Sequence, residues 1–216
     1  MCGRYTLRTN LSLAIKQFGL PYDGPDLPRY NVAPTQSVPA VRLNGTGQRE
    51  LAMLQWGLIP SWAKDTKIAY STLNARADTV ATKPAFRSAY KSRRCLVIAD
   101  GYYEWLTEGK SKLPFLYEVD GGQPFAFAGL WESWRDPGKP SQPLESCTII
   151  TTEANELART IHDRMPVIID PADQDAWLQG ERIPLVPFDP GRMTVRPVST
   201  FVNNVRNQGA DCVASR

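Results

Sequence analysis

This chain has a single histidine, His162, and no cysteine with another within three residues of it. Cys2, Cys95, Cys147 and Cys212 are spread along the whole length. That spacing excludes a CxxC zinc site, so no metal or other cofactor is expected, and it argues against the disulfide framework of a small secreted domain. No run approaches the ~18 apolar residues of a membrane span, and the start MCGRYTLRTN lacks the apolar stretch of a signal peptide. Neither membrane association nor export is expected. Strong charge of one sign is also missing: the formal net charge is only +3. A total of that size permits nucleic-acid binding but does not argue for it, because phosphate contact depends on clustered Lys and Arg. There is no internal repeat, no low-complexity tract and no polar linker, so residues 1–216 are expected to form one domain.

The chain has 42% hydrophobic and 22% charged residues, a globular composition, and its eighteen prolines are dispersed, which favours many short elements joined by turns. Helices are predicted over Leu11–Phe18 with Asn10 as N-cap, over Ala75–Ala81, over Ala85–Ser92 behind Pro84, over Glu153–Thr160 behind Thr152, and from Asp170-Pro171 to Leu178, closed by Gly180. Strands are predicted over Val38–Leu43, Leu51–Gln55, Cys95–Ala99, Tyr102–Leu106, Pro114–Val119, Phe125–Leu130, Cys147–Thr151 and Met193–Val198. Strand and helix do not alternate regularly, which argues against a doubly wound parallel sheet. The expected class is α+β, with curved, mainly antiparallel sheets around a barrel-like core and helices at the periphery.

Position 2 carries the most distinctive chemistry. A small second residue generally permits loss of Met1, and Cys2 would then hold a thiol and a free α-amine on adjacent carbons. Both groups titrate near enough to neutrality, at about 8 to 8.5, to keep a nucleophilic fraction. The amine condenses with an aldehyde to a Schiff base, and the thiol can close a five-membered thiazolidine. The same residue could act as an N-terminal hydrolytic nucleophile, or be simply a small residue at a frayed start.

Polar and special residues concentrate in Cys2–Tyr5, Arg29–Thr35, Trp56–Trp62, Asn74–Ala77, Gly101–Trp105 and Ile161–Pro166. Each has an ordinary structural explanation. Tryptophans are usually core, a glutamate in an alternating strand usually meets water, a lone histidine is usually structural, and Arg4 and Arg76 are readable as surface charges.

Taken together and in order, MCGRYTL, YNVAPTQ, WGLIPSW, NARAD, CLVIADGYYEW, IHDRMPVII and the late RPVSTFVNNVRNQG resemble the SOS response-associated peptidase (SRAP) family over nearly the whole chain. Members of that family crosslink covalently to abasic sites in DNA. The resemblance implies that Cys2 is the nucleophile, that Asn74 positions it, and that Glu104 and His162 are active-site residues. It further implies that Arg4, Arg76 and Arg87 lie along the DNA path. Asp78 stands where glutamate is commoner, a difference of one methylene. An abasic deoxyribose is mostly a closed hemiacetal, and opening it requires one proton delivered and one removed, a task for a carboxyl and an imidazole. Trp56, Trp62 and the Asn31–Pro34 loop are expected to stack on or wedge beside bases. The expected partner is single-stranded or junction DNA bearing an abasic site, bound by a monomer. If the source is bacterial, a cytoplasmic, nucleoid-associated place follows. Two other readings stay open: a thiol peptidase acting on itself or on other proteins through Cys2, and a non-covalent reader of modified DNA.

Overall fold

Strands dominate the computed structural model, which describes residues 2–136 and 138–216. In chain order they are β1 (Tyr5–Leu7), β2 (Arg29–Val32), β3 (Ser37–Leu43), β4 (Arg49–Trp56), β5 (Asn74–Arg76), β6 (Arg94–Ala99) and β7 (Gly101–Glu108). These are followed by β8 (Ser111–Val119), β9 (Phe125–Asp136), β10 (Lys139–Glu153), β11 (Arg164–Pro166), β12 (Ile168–Ile169) and β13 (Met193–Pro197). The helices are short: α1 (Leu11–Lys16), α2 (Arg87–Ser92), α3 (Glu156–Arg159) and α4 (Gln174–Leu178).

The strands form two sheets. One runs β13-β8-β7-β1-β2 and is antiparallel throughout. In the other, β10 pairs with both β4 and β9, so that β10-β4-β3-β6-β9 closes into a five-stranded barrel, parallel only at β10–β4 and antiparallel at its other pairings. The class is α+β, as the irregular order of elements predicts.

Strand pleating explains how so small a barrel is stabilised on both sides. Along β6, Cys95, Val97 and Ala99 join Tyr5, Tyr102, Tyr117 and Phe127 in the core shared with the other sheet. The alternate residues Leu96 and Ile98 pack instead with Ala14, Ile15 and Phe18 of the α1 region and with Trp177 and Leu178 of α4. A strand covered on both faces reads as a continuous apolar run rather than an alternation, and RCLVIA is buried at every position.

Several local expectations are corrected. Residues 75–81 form no helix: Asn74–Arg76 is a strand paired in parallel with Ile149–Thr151 of β10, and turns follow. Asn10 makes no side-chain cap; the carboxylate of Asp26 accepts from Leu11 N–H, fifteen residues before it, and from Ser12 instead. The third helix is shorter than expected because β10 runs on to Glu153, and its cap is Asn155, which accepts from Ala158 N–H, not Thr152. Gly180 closes the α4 region at φ 85°, a left-handed conformation open to glycine at little cost.

Candidate active site at Cys2

Cys2 precedes β1, which lies between β2 and β7 in its sheet. That placement carries the start of the chain into the joint between sheet and barrel, and Cys2 is fully buried in the shared core. On the barrel side, β5 runs parallel to β10 and brings Asn74 opposite Ile149. The Asn74 amide donates to the Cys2 carbonyl at 2.9 Å, while its Oδ1 is buried with no hydrogen-bond partner among the described residues.

Glu104 comes from β7 and is only 4% exposed. Burial pushes its carboxyl above the ordinary range, opposed by positive charge on His162. The Cys2 thiol is also pushed up, first by burial and then by the charge of Glu104. His162 follows α3, and its Nδ1 lies 3.0 Å from the Arg164 backbone N–H and 2.9 Å from Asp163 Oδ1. A neutral ring accepts from the first and an imidazolium donates to the second, so either protonation state has a partner. The electrostatics thus couple Cys2 to Glu104 and Glu104 to His162, residues from three distant parts of the sequence.

The expected DNA-contact residues divide. Arg4 is half-buried, with Nη1 2.6 Å from Asn31 Oδ1 and 3.0 Å from the Val202 carbonyl, and its guanidinium lies 5.6 Å from the Trp105 ring centre. No carboxylate is among those neighbours. Arg76 is exposed and holds Asp78 at 2.7 Å, and Arg87 is exposed at the start of α2. Trp62 is 60% exposed. Trp56 has to be corrected: it is fully buried against Tyr5, with Nε1 donating to the Leu73 carbonyl at 3.0 Å, so no base can reach its ring. Asn31 is corrected for the same reason. Its side chain is buried and donates to the carbonyls of Asn204 and Asn207, tying β2 to the C-terminal loop. Pro34 stays half-exposed in a turn whose next residue, Thr35, has φ 67°. A β-branched residue is strained there, and its N–H bonds the Trp56 carbonyl at 2.8 Å. Gly57 follows at φ 121°, where an added Cβ would stand 2.8 Å from the Ala69 carbonyl oxygen.

Arg164 was not among the expected site residues, although it lies within the IHDRMP motif. Its guanidinium bonds the Thr151 carbonyl at 2.6 Å, and it lines an open groove of about 430 Å³ with Asp78, Tyr90, Arg182 and Leu185. The groove's lining does not include Cys2, Glu104 or His162. Among the described residues, no cluster of three or more His, Cys, Asp or Glu has metal-binding geometry.

This geometry defines a class of protein built around a cysteine next to the chain start, clamped by an amide and backed by a carboxyl and an imidazole. The family model for SOS response associated peptidase (SRAP) matches residues 1–205. Abasic site processing protein YoqW of Bacillus subtilis is 41% identical, with both chains covered completely. Abasic site processing protein HMCES of Xenopus tropicalis is 32% identical over 87% of this chain and 66% of its own. A crystal structure of a Bacteroides thetaiotaomicron protein superposes with a TM-score of 0.88 at 27% identity, both chains covered completely. The chain belongs to the SRAP family.

Proposed function

We propose that this protein processes abasic sites in DNA, capturing the opened sugar covalently through Cys2 once Met1 has been removed. The observation that carries the reading is the Asn74–Cys2 hydrogen bond together with the electrostatic coupling of Cys2 to Glu104. It holds the terminal residue in one orientation beside a carboxyl whose burial keeps it protonated above the ordinary carboxylate range. The relatives named as abasic site processing proteins supply the substrate class.

The chemistry runs in four steps. A protonated group donates to the ring oxygen of the sugar while a base takes the C1′ hydroxyl proton, and the aldehyde opens. The Cys2 amine adds to C1′. Glu104 protonates the departing hydroxyl, leaving a Schiff base, and the thiol closes on it to give a thiazolidine. His162 serves the sugar's ring oxygen or its freed hydroxyl. A Schiff base not trapped by sulfur permits β-elimination, so weak strand cleavage accompanies capture. Arg4, whose hydrogen-bond partners among the described residues include no carboxylate, together with Arg76 and Arg87, holds phosphates, while Trp62 and the Pro34 turn meet bases. The mild net charge of +3 fits a narrow local track for single-stranded or junction DNA, bound by one copy of the chain.

The test is denaturing electrophoresis of the protein with single-stranded DNA carrying one abasic site, with intact mass reporting the state of Met1. A heat- and detergent-stable band in wild type, absent in Cys2→Ala, is expected. A processed terminus with no such band would reject covalent capture and leave the peptidase and modified-DNA readings.

A further inference from the structure

Three tyrosines lie side by side in the core cluster that contains Cys2. Tyr5 of β1 is paired with Tyr102 of β7, and Tyr102 with Tyr117 of β8, so their side chains form one row across the sheet. The rings of Tyr102 and Tyr117 stack at 4.8 Å and 7°, and Tyr5 and Tyr102 each set an edge against Phe127. All three are fully buried in the cluster that contains Cys2. Glu104, two residues beyond Tyr102 on the same strand, projects from the same face.

The hydroxyls are the anomaly. The Oη atoms of Tyr5, Tyr102 and Tyr117 are each buried with no hydrogen-bond partner among the described residues. Phenylalanines would fill the same volume without stranding a polar atom, and buried polar groups are hydrogen-bonded as a rule, to protein or to internal water. Tyr103 makes the contrast. It is the neighbouring residue on the opposite face, and its hydroxyl donates to the Tyr30 carbonyl at 2.7 Å. The YY pair therefore divides into one phenol with a protein partner and one, on the opposite face, with none among the described residues. Tyr102 senses the charges of both Cys2 and Glu104, and Tyr117 senses that of Glu104.

We propose that Tyr5, Tyr102 and Tyr117 are positioning residues for thiazolidine closure, forming with internal water a hydrogen-bonding floor that conducts the Cys2 thiol proton to Glu104. The proposal rests on the reading of Cys2 as the nucleophile. Once Glu104 has protonated the departing hydroxyl, it is a carboxylate facing a cationic Schiff base. A sulfur lone pair forms the S–C1′ bond, the C=N π pair returns to nitrogen, and the thiol proton passes along the row to Glu104. Thiol, iminium and carboxylate become neutral thiazolidine and neutral acid, with no oxidant or reductant required.

The test compares wild type with Tyr102→Phe, Tyr117→Phe and the double variant, using Tyr103→Phe as the control on the opposite face. Each is mixed with single-stranded DNA bearing one abasic site and quenched at intervals with borohydride. The quench reduces the Schiff base and leaves the thiazolidine intact, and intact mass separates the two products. Thiazolidine formation is expected to slow roughly 10-fold, less than the ~10²–10⁴ of a direct acid–base group. Reducible Schiff base and strand cleavage should rise, while the half-saturating DNA concentration stays unchanged and melting temperature does not fall. Tyr103→Phe should instead lower the melting temperature and close the ring at the wild-type rate. Wild-type closure in the double variant would overturn the proposal, as would slowing of Schiff-base formation and closure alike with a lower melting temperature. A wild-type protein that forms no Cys2-dependent crosslink would strike the underlying reading as well, and that result is distinct from either of these.

Discussion

Glu104 and Asn74 hold the site for different physical reasons, and each reason has a measurable consequence. Burial raises the Glu104 carboxyl, so the folded chain holds that proton more tightly than the unfolded chain does. The associated stability is complete below the ordinary value of 4.5 and is lost as pH rises through the raised value. Glu104→Gln cannot ionise, and it should be more stable than wild type at neutral pH and nearly flat across that window in thermal denaturation. It should also lose most strand cleavage; unchanged cleavage would remove Glu104 from proton transfer. Asn74→Ala gives up one hydrogen bond, worth about 0.5–1.5 kcal/mol of stability. Its effect on crosslinking rate should be much larger, up to about 100-fold, because a slightly misplaced nucleophile loses its attack geometry. A rate loss no greater than the stability loss would make Asn74 merely structural.

At the scale of elements, the WGLIPSW segment carries two tryptophans with opposite duties. Trp56 ends β4 and is sealed in the core, whereas Trp62 stands in water six residues later. Between them, Gly57 turns the chain at a φ that side-chain-bearing residues rarely adopt. Trp62→Ala should weaken binding to abasic single-stranded DNA by about 1–3 kcal/mol with no change in melting temperature. Trp56→Ala should cost about 3–5 kcal/mol of stability, and its loss of binding should track unfolding. Equal effects of the two on stability would deny the division. The helix expected at residues 75–81 illustrates a propensity overridden by pairing. Its alanines suit a helix, yet an open place beside β10 takes Asn74–Arg76 as a strand and so brings Asn74 to Cys2.

The molecule as a whole stores ionisable groups in its interior. The thiols of Cys2, Cys95 and Cys147 and the phenols of Tyr5, Tyr102 and Tyr117 are all pushed up by burial. Each keeps its proton in the folded state beyond the pH at which the unfolded chain releases it. The contribution of these groups is therefore constant below the ordinary thiol value of 9.0 and falls as pH rises past it, and again past the phenol value of 10.0. Each buried group contributes a slope of about 1.4 kcal/mol per pH unit within its window. Chemical denaturation across this alkaline range should show a steep loss, reduced in variants with phenylalanine at the tyrosine row. A flat profile would mean that these groups are solvated in the native state.

Pattern alone determined much of this protein. The irregular order of short elements led to α+β, the apolar runs located most of the strands of the barrel, and the ordered motifs pointed to Cys2, Asn74, Glu104 and His162. The fold class and the strands were legible because side-chain periodicity and turn chemistry are local properties. Tertiary structure decided what local pattern cannot carry: that β10 pairs with both β4 and β9 to close the barrel, that Asp26 rather than Asn10 caps the first helix, and that Trp56 and Asn31 are interior while Trp62 is not. It also aligned three tyrosines from positions 5, 102 and 117 into one row. Register between distant strands is set by which faces can be buried together, and that is settled only when the whole chain has packed.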